Sequence, residues 1–600
     1  MVGKTLDILD IIEPDRQAYF LSNQYLEWEN FRRPWLNEKQ EIHRYVYATD
    51  TTKTSNAKLP WSNKTTIPKL CQIRDNLLAN YMYTLFPKKK WHRWEGDSLD
   101  DDSSEKQSAI ESYTTWITDR NEFYDEMNKL VQDYIDYGNC FATVDWVDGR
   151  VNTPDKQQVG YVGPVVRRVS PLDIVINPTA PSFKESPKII RTLVSIGEMK
   201  EIVNRLSISD PQELEDAKAV IEYMKNIRNI FAEGASYTEK DVIFQIAGFD
   251  SYTAYLKSNY VELLTFYGDT YDEQSGEFKR NQVIKIVDRC KILSQTVNPS
   301  YFGTFPIYHA GWRPRADNIM AMGPLDNLVG MQYRIDHLEN MKADIFDLTA
   351  YPPLKVKGYV GDFTWGPFER IYVGDDGDVE LMSPNVQALQ ADTQIAILEK
   401  TMEEMAGAPK EAMGFRTPGE KTKFEVQRLE NAASRIFQAK ISQFERQIVE
   451  SLLNAMLELA RRNLTQQTIR VFDSDLKINT FMDLTPEDLT GNGRLKPVAA
   501  RHFAEKAQQV QDLNAFRASA AAHDPSLLVH FSTVNEAKLW ENLLEIEQYN
   551  IVQPYVRLAE QKDAQLLQNV GQEHATMQTM TPSGLTPDDT SNAPNPTNMA

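Results

Sequence analysis

Residues 414–422 read Gly-Phe-Arg-Thr-Pro-Gly-Glu-Lys-Thr, the nearest approach in this chain to a nucleotide-binding motif. A phosphate-binding loop needs G-x-x-x-x-G-K-[ST] between a strand and a helix, so that backbone N–H groups cradle the phosphates. Here Glu420 separates Gly419 from Lys421, and its carboxylate would point where phosphate charge must sit. The preceding segment also reads as helix and loop rather than strand. Thr417-Pro418-Gly419-Glu420 is better read as a capping box, with a threonine oxygen and a glutamate three residues on launching a helix. Lys88-Lys89-Lys90-Trp91-His92-Arg93-Trp94 is the most basic run. Aromatics between cations can stack bases while the cations meet phosphates. The competing reading, and the stronger one, is a turn that buries its tryptophans, because four aspartates follow between Asp97 and Asp102.

Other chemistry is sought and not found. Asp375, Asp376 and Asp378 resemble part of a calcium loop, but the closing glutamate is absent, so a hairpin turn is expected there. There is no H-E-x-x-H, C-x-x-C or G-x-S-x-G, and the eight histidines are dispersed. Cys71, Cys140 and Cys290 are far apart and odd in number, which reads as reduced thiols without zinc spacing. No catalytic constellation, metal site or cofactor is expected.

The elements that carry these residues come next. Leu325, Leu328, Met331, Ile335, Leu338, Met341 and Ile345 recur every three or four residues and predict a helix over 322–348, opened by Gly323-Pro324 and stopped by Tyr351-Pro352-Pro353. Short β-like runs follow at 354–360, 370–373 and 379–382, with Asp375-Asp376-Gly377 as a turn. Val386, Leu389, Ile395, Leu398, Met402 and Met405 predict a second helix over 384–405. The capping box then opens a third, over 418–463, which at 1.5 Å per residue would be roughly 60 Å long. Few compact domains need so long a helix, which points to a spoke or one stave of an assembly.

Six hundred residues exceed one core, so two to four sub-domains are expected. No run of about 18 apolar residues exists, so no membrane span is expected. The first dozen residues carry a lysine and acids among a few aliphatics, unlike a signal peptide. The net charge of −20 argues against a protein that grips nucleic acid tightly, because phosphate neutralisation supplies such affinity.

Along the chain, 14–47 reads as helix broken at Pro34, and 70–85, 104–120 and 123–137 as further helices. Residues 140–152 read as a hairpin about Asp148-Gly149. Strands are expected at 161–169, 174–176, 242–246, 261–267, 282–287 and 291–297, with helices near 197–206 and 212–231. Short strands are expected at 468–472 and 476–481, then helices from 497 to 567. From 572 the chain is rich in Thr, Pro, Asn and Ser and is expected to be disordered. The fold class is α+β and mainly helical.

The order of these parts resembles the bacteriophage portal proteins, the head-to-tail connectors, especially those of short-tailed phages. Leu59-Pro60-Trp61, Leu85-Phe86-Pro87 with Trp91, Tyr137-Gly138-Asn139-Cys140 and Val169-Ser170-Pro171-Leu172-Asp173 look like elements of that family's wing. Phe305-Pro306-Ile307, Gly311-Trp312 and Met322-Gly323-Pro324-Leu325 with Asn327 look like the lead into its first stem helix. The resemblance spans residues 15–570 and lies in the order of parts rather than in one motif.

It implies a wing over 1–320, stem helices at 321–350 and 384–405, a β-rich clip at 351–383 and a tunnel loop at 406–417. A second wing part with the long wing helix would cover 418–495, a helical crown 496–570 and a tail 571–600. It implies a homo-oligomeric ring, usually of twelve subunits, at one capsid vertex of the virion, assembled in the bacterial cytoplasm with capsid and scaffolding proteins. The ring would seat the terminase motor, pass double-stranded DNA in packaging and ejection, and then hold a tail adaptor. Lys410, Glu411, Arg416, Glu420 and Lys421 would lie at the tunnel loop, where near-balanced charge permits weak, sequence-blind phosphate contact. Phe363, Trp365, Phe368 and Arg370 would dock partners at the clip. Leu328, Ile335, Leu338, Leu389 and Leu398 would pack the stem. The alternatives are a non-portal scaffold or inner virion protein and, on the strength of the near-miss loop alone, a packaging ATPase.

Overall fold

The computed structural model describes residues 8–11, 16–47, 63–86, 91–98, 104–205, 260–358, 372–382, 390–407 and 437–497, with short gaps inside these ranges, and a few positions at 214–222, 360, 513 and 537–540. Residues 1–471 with 481–504 form one compact unit, and 472–480 with 505–600 form another. The described residues lie almost wholly in the first, which is α+β.

Strand β1 (Ile8–Ile11) precedes α1 (Gln17–Tyr47), a helix of 31 residues. The break expected at Pro34 does not occur. An interior proline forfeits a backbone hydrogen bond and costs roughly 3 kcal/mol. The burial of Leu21, Tyr25, Trp28, Leu36 and Ile42 along one face of α1 offsets that cost. Next come α2 (Lys69–Leu85), α3 (Ser104–Arg120) and α4 (Phe123–Asp136), close to the expected bounds, and between the first two β2 (His92–Gly96), a strand where a turn was expected.

The hairpin expected about Asp148-Gly149 is corrected. Strand β3 (Asn139–Asp148) pairs with β6 (Val162–Val169) from Phe141 to Asp148, and the Gly149 N–H donates to the Tyr161 carbonyl at 2.9 Å. The short strands β4 (Val151–Asn152) and β5 (Gln158–Val159) pair with each other. The two-residue turn signal therefore sits within a longer ladder.

Strands β7 (Ile174–Ile176) and β8 (Lys188–Ser195) lead to α5 (Ile196–Arg205), and β9 (Tyr260–Asp272), β10 (Glu277–Val287) and β11 (Lys291–Val297) complete one sheet. Its order is β11-β10-β9-β8-β7, antiparallel throughout, and β1 pairs in parallel with the end of β9. Alternation along β9 sends side chains to opposite faces. Leu264 and Phe266 meet Leu21, Tyr25 and Trp28 of α1, while Val261 and Leu263 meet Met199 and Val203 of α5. The sheet is thus covered by helix on both sides. Strand β8 has no counterpart among the sequence expectations, because Lys188-Ile189-Ile190-Arg191 lacks clean alternation.

Strand β12 (Ile307–Gly311) adds to β3, giving the order β12-β3-β6, and β13 (Arg313–Arg315) pairs with β14 (Asn318–Met322). The helix expected over 322–348 is shorter than expected and starts later: α6 runs Val329–Ala350. Residues 323–328 form turns instead, with Gly323 N–H donating to Asp326 at 2.9 Å and Leu328 N–H to the Leu325 carbonyl at 3.0 Å. Gly138 has φ +72°, and a Cβ there would lie 2.4 Å from the Gly323 nitrogen. Only glycine permits that backbone approach.

Strands β15 (Leu354–Lys357) and β16 (Asp378–Leu381) form a hairpin, extended by a bridge between Val360 and Val373. Helix α7 (Asp392–Ala406) follows and ends on Gly407 in the left-handed region. The third helix is described from residue 437. It includes a π turn, Glu445–Val449, and continues as α8 (Glu450–Asn463). Strands β17 (Gln467–Asp473), β18 (Ile478–Leu484) and β19 (Gly493–Pro497) follow, and β19 pairs with β2. The expected tunnel loop, the strand at 242–246 and nearly all of the crown and tail lie outside the described residues.

The main core gathers α2, α3, α4, β3, the first half of α6, α7 and the helix over 437–463. Ile441, Phe444, Ile448, Val449, Leu452, Leu453, Met456 and Leu457 are all buried in it. A π turn inserts an extra residue and shifts the face that follows. Here it lets adjacent Ile448 and Val449 both face inward. The expectation of a spoke is corrected for this stretch: it is a central beam of its own chain.

Candidate functional site

The residues proposed to act fall into three sets. Phe363, Trp365, Phe368 and Arg370, the loop residues Lys410, Glu411, Arg416, Glu420 and Lys421, and Leu389 all lie outside the described residues. Leu328, Ile335 and Leu338 lie in the main core of their own chain, and Leu398 packs against it from α7. Their apolar stripe therefore holds α6 to the body before any second copy is considered. The reason is positional: Leu328 leads into α6 and Ile335 and Leu338 occupy its first half, which is embedded.

The second half of α6 differs. Between Met341 and Ala350 no residue is fully buried. Phe346 is 54% exposed, Tyr351 70% and, on the adjoining α7, Ile397 60%. The hairpin continues the pattern, with Val356, Tyr372 and Leu381 exposed. Of the eighteen exposed large hydrophobic residues described, ten lie between Tyr333 and Met405. Scattered single apolar residues need no explanation, but a concentration of them marks an interaction surface. Sequence periodicity could not locate it, because stripe and charge continue unchanged from one half of α6 to the other.

Ion pairs tie these two helices to each other and to the body. Lys342 Nζ on α6 lies 2.8 Å from Asp392 on α7 and 3.0 Å from Glu339. Deeper, Lys69 at the start of α2 meets Glu403 of α7 at 2.7 Å, both side chains 5% exposed. Lys39 of α1 pairs with Asp326, just before α6. Burial drags the Lys39 ammonium below its usual pKa, against the pull of Asp326. Arg74 of α2 holds Asp136 of α4 through two contacts, at 3.1 and 3.2 Å. Arg168 of β6 holds Asp133 of α4 likewise, at 2.5 and 2.7 Å.

The basic-aromatic run resolves in favour of packing. Trp91 and Trp94 are buried, and His92 is buried with them. Trp91 stacks on Phe123 with ring centroids 5.7 Å apart, and Arg461 lies over the Trp94 ring. Neither indole is free to stack a base. Lys88, Lys89 and Lys90 lie outside the described residues.

Three histidines are kept neutral. His43 lies between Tyr47 and Tyr137, neither ring nitrogen has a hydrogen-bond partner, and burial lowers its pKa. His92 is lowered for the same reason. His309, stacked on Phe141 and bonded to Asn139 at 3.0 Å, is pushed down to about 3 by burial and the nearby Lys188. Among the described residues no group of three or more His, Cys, Asp or Glu could hold a metal ion. The hairpin turn expected at Asp375-Asp376-Gly377 is corrected: Asp375 and Asp376 lie in a tight turn, where Gly377 N–H donates to the Gly374 carbonyl at 2.9 Å, but it sits within one arm of the β15–β16 pair, between the Val360–Val373 bridge and Asp378 at the start of β16.

No protein-family model matches this chain, and no curated protein matches it. What the arrangement offers is an exposed apolar surface, built on α6, α7 and the hairpin between them. Among the described residues no helix is long and apolar enough to cross a membrane.

Proposed function

We propose that this chain is a portal-type ring subunit, in which the outer half of α6, the β15–β16 hairpin and α7 meet the same elements of neighbouring copies. One observation carries the reading: the exposed apolar side chains concentrate on these elements, while their inner ends are fixed in the body by buried ion pairs and the main core. A heterologous contact of this kind closes into a ring when its rotation divides the circle. The order of elements, helix, hairpin, helix, then a long helix, supports the stem, clip and wing assignments made from sequence.

In this reading the ring is a conduit for double-stranded DNA at a capsid vertex and carries no catalysis of its own. Its partners are the capsid and scaffolding proteins, a packaging motor and then a tail adaptor. The net charge of −20 suits a channel past which DNA slides, because a clamp would need an excess of basic groups. Lys410, Arg416 and Lys421 beside Glu411 and Glu420 give the tunnel loop nearly balanced charge, suited to weak phosphate contact.

Negative-stain images of the purified full chain test the reading. Rings with an axial hole are expected. Filaments or amorphous particles would instead favour an inner-virion scaffold, and ATP turnover lost on Lys421→Ala would favour a motor.

A further inference from the structure

Helix α6 carries five polar side chains on one face, at Gln332, Asp336, Asn340, Asp344 and Asp347. Each meets the segment that leads into α2. Asn63 N–H donates to Asp344 at 2.6 Å, and its side-chain amide reaches Asp347 at 2.8 Å. Thr65 N–H donates to the Asn340 carbonyl oxygen at 2.7 Å, and the Asn340 amide returns a bond to the Thr65 carbonyl at 2.9 Å. Ile67 N–H donates to Asp336 at 3.0 Å, while Gln332 donates to the Ile67 carbonyl at 2.5 Å. Leu70 N–H donates to Gln332 Oε1 at 3.1 Å.

The rungs match because two periods match. Four helical residues rise about 6.0 Å, and two extended residues advance about 6.6 Å. Asparagine, glutamine and aspartate placed every four residues can therefore read every second peptide group of an extended chain. Thr65 and Ile67 are read through their backbones alone. The Thr66 hydroxyl is buried without a hydrogen-bond partner, so the ladder makes no use of it.

The rungs also differ in depth. Gln332, Asp336 and Asn340 are almost fully buried, Asp344 is half-buried and Asp347 exposed. At the deep end, Lys69 follows directly and ties the segment to Glu403 of α7. Few buried contacts at one end and many at the other mean that opening starts at the exposed end.

We propose that Asn63 and residues 65–69 are a latch: a backbone-read strap that clamps α6 to α7 at its deep end and peels from its Asn63 end, releasing the outer half of α6 and the hairpin to move. This device is independent of the portal reading, since it requires only one chain. It would set how freely the exposed helix pair adapts to whatever binds it.

Hydrogen exchange on the full chain tests it, comparing the wild type with Asp344→Ala/Asp347→Ala and with Thr65→Ala/Thr66→Ala. In the aspartate variant the Asn63 amide is expected to exchange about tenfold faster, with a smaller gain at Thr65 and none at Leu70 or in α8. The threonine variant is expected to match the wild type at Asn63 and Ile67. An unchanged Asn63 rate in the aspartate variant overturns the proposal, as does a uniform rise that includes α8. An equal loosening by the threonine variant would show that side chains, not the backbone, hold the strap.

Discussion

The helix over 437–463 and the outer half of α6 are written in the same periodic code, yet they have opposite surroundings. The first has Ile441, Phe444, Leu452 and Leu453 buried and β3, β6 and β12 packed around it. The second presents Phe346 to solvent, as does Tyr351 just beyond its end. Periodicity states that a helix has an apolar side; it does not state which molecule supplies the cover. The depth of a helix within its own chain decides that, and here it divides one helix, α6, into a structural half and an available half.

Substitution should expose this contrast most strongly in the core. Phe444→Ala or Leu452→Ala is expected to destabilise the subunit by about 3–5 kcal/mol through lost burial and an unfilled cavity. Phe346→Ala and Tyr351→Ala should stay within about 0.5 kcal/mol of wild type in the same urea titration. Equal losses at the two sites would erase the distinction.

The anchoring ion pair comes next. Lys69→Met removes the cation paired with the buried Glu403 carboxylate and should cost about 3–5 kcal/mol, while Lys69→Met/Glu403→Leu should recover most of that. Urea unfolding of the single and double variants checks it. A double variant no better than the single would mean that the two side chains do not act as a pair.

Acid should weaken the body more than the exposed elements. His43, His92 and His309 have folded pKa values below their unfolded value of 6.5, so the unfolded chain binds more protons as pH falls past that point. Their contribution is fully present above about pH 6.5 and is lost progressively toward about 3 for His309. Asp336 on the ladder runs the other way. Burial raises it to about 6, so it favours folding most below its ordinary value of 3.8 and loses that advantage as pH rises to about 6. Because both ring nitrogens of His43 lack partners, His43→Phe should flatten the acid limb of a stability-against-pH curve between 6.5 and 5. An acid limb as steep as that of the wild type would exclude His43 as a cause.

The smallest effect belongs to Thr66→Val. Replacing a buried hydroxyl that has no partner should leave the melting temperature unchanged or slightly raised. A clear loss would show that the hydroxyl is bonded in solution.

Much of the fold was legible. The bounds of α2, α3, α4, β7 and β11 follow from apolar spacing and from breakers such as Pro87 and Pro178. Pro34 misled because a proline penalty is local, whereas the burial that offsets it in α1 is tertiary. The turn signal at Asp148-Gly149 misled because the pairing of β3 with β6 is long-range. The α6 ladder escaped notice, since Gln332, Asp336, Asn340, Asp344 and Asp347 read as an ordinary polar face until Asn63, Thr65 and Ile67 are seen beside them. For the candidate site, the helix–hairpin–helix frame could be read, but the exposure of Phe346 and Ile397 could not. Leu328, Ile335 and Leu338 bear the same letters and are spent on the chain's own core.

The most direct test is the mass in solution of the wild type and of Phe346→Asp/Ile397→Asp, each measured by light scattering beside its urea midpoint. Closed multi-subunit particles for the wild type and folded monomers of unchanged midpoint for the variant are the predicted pair. A variant that still forms particles of the same mass would contradict the claim that copies meet on this surface.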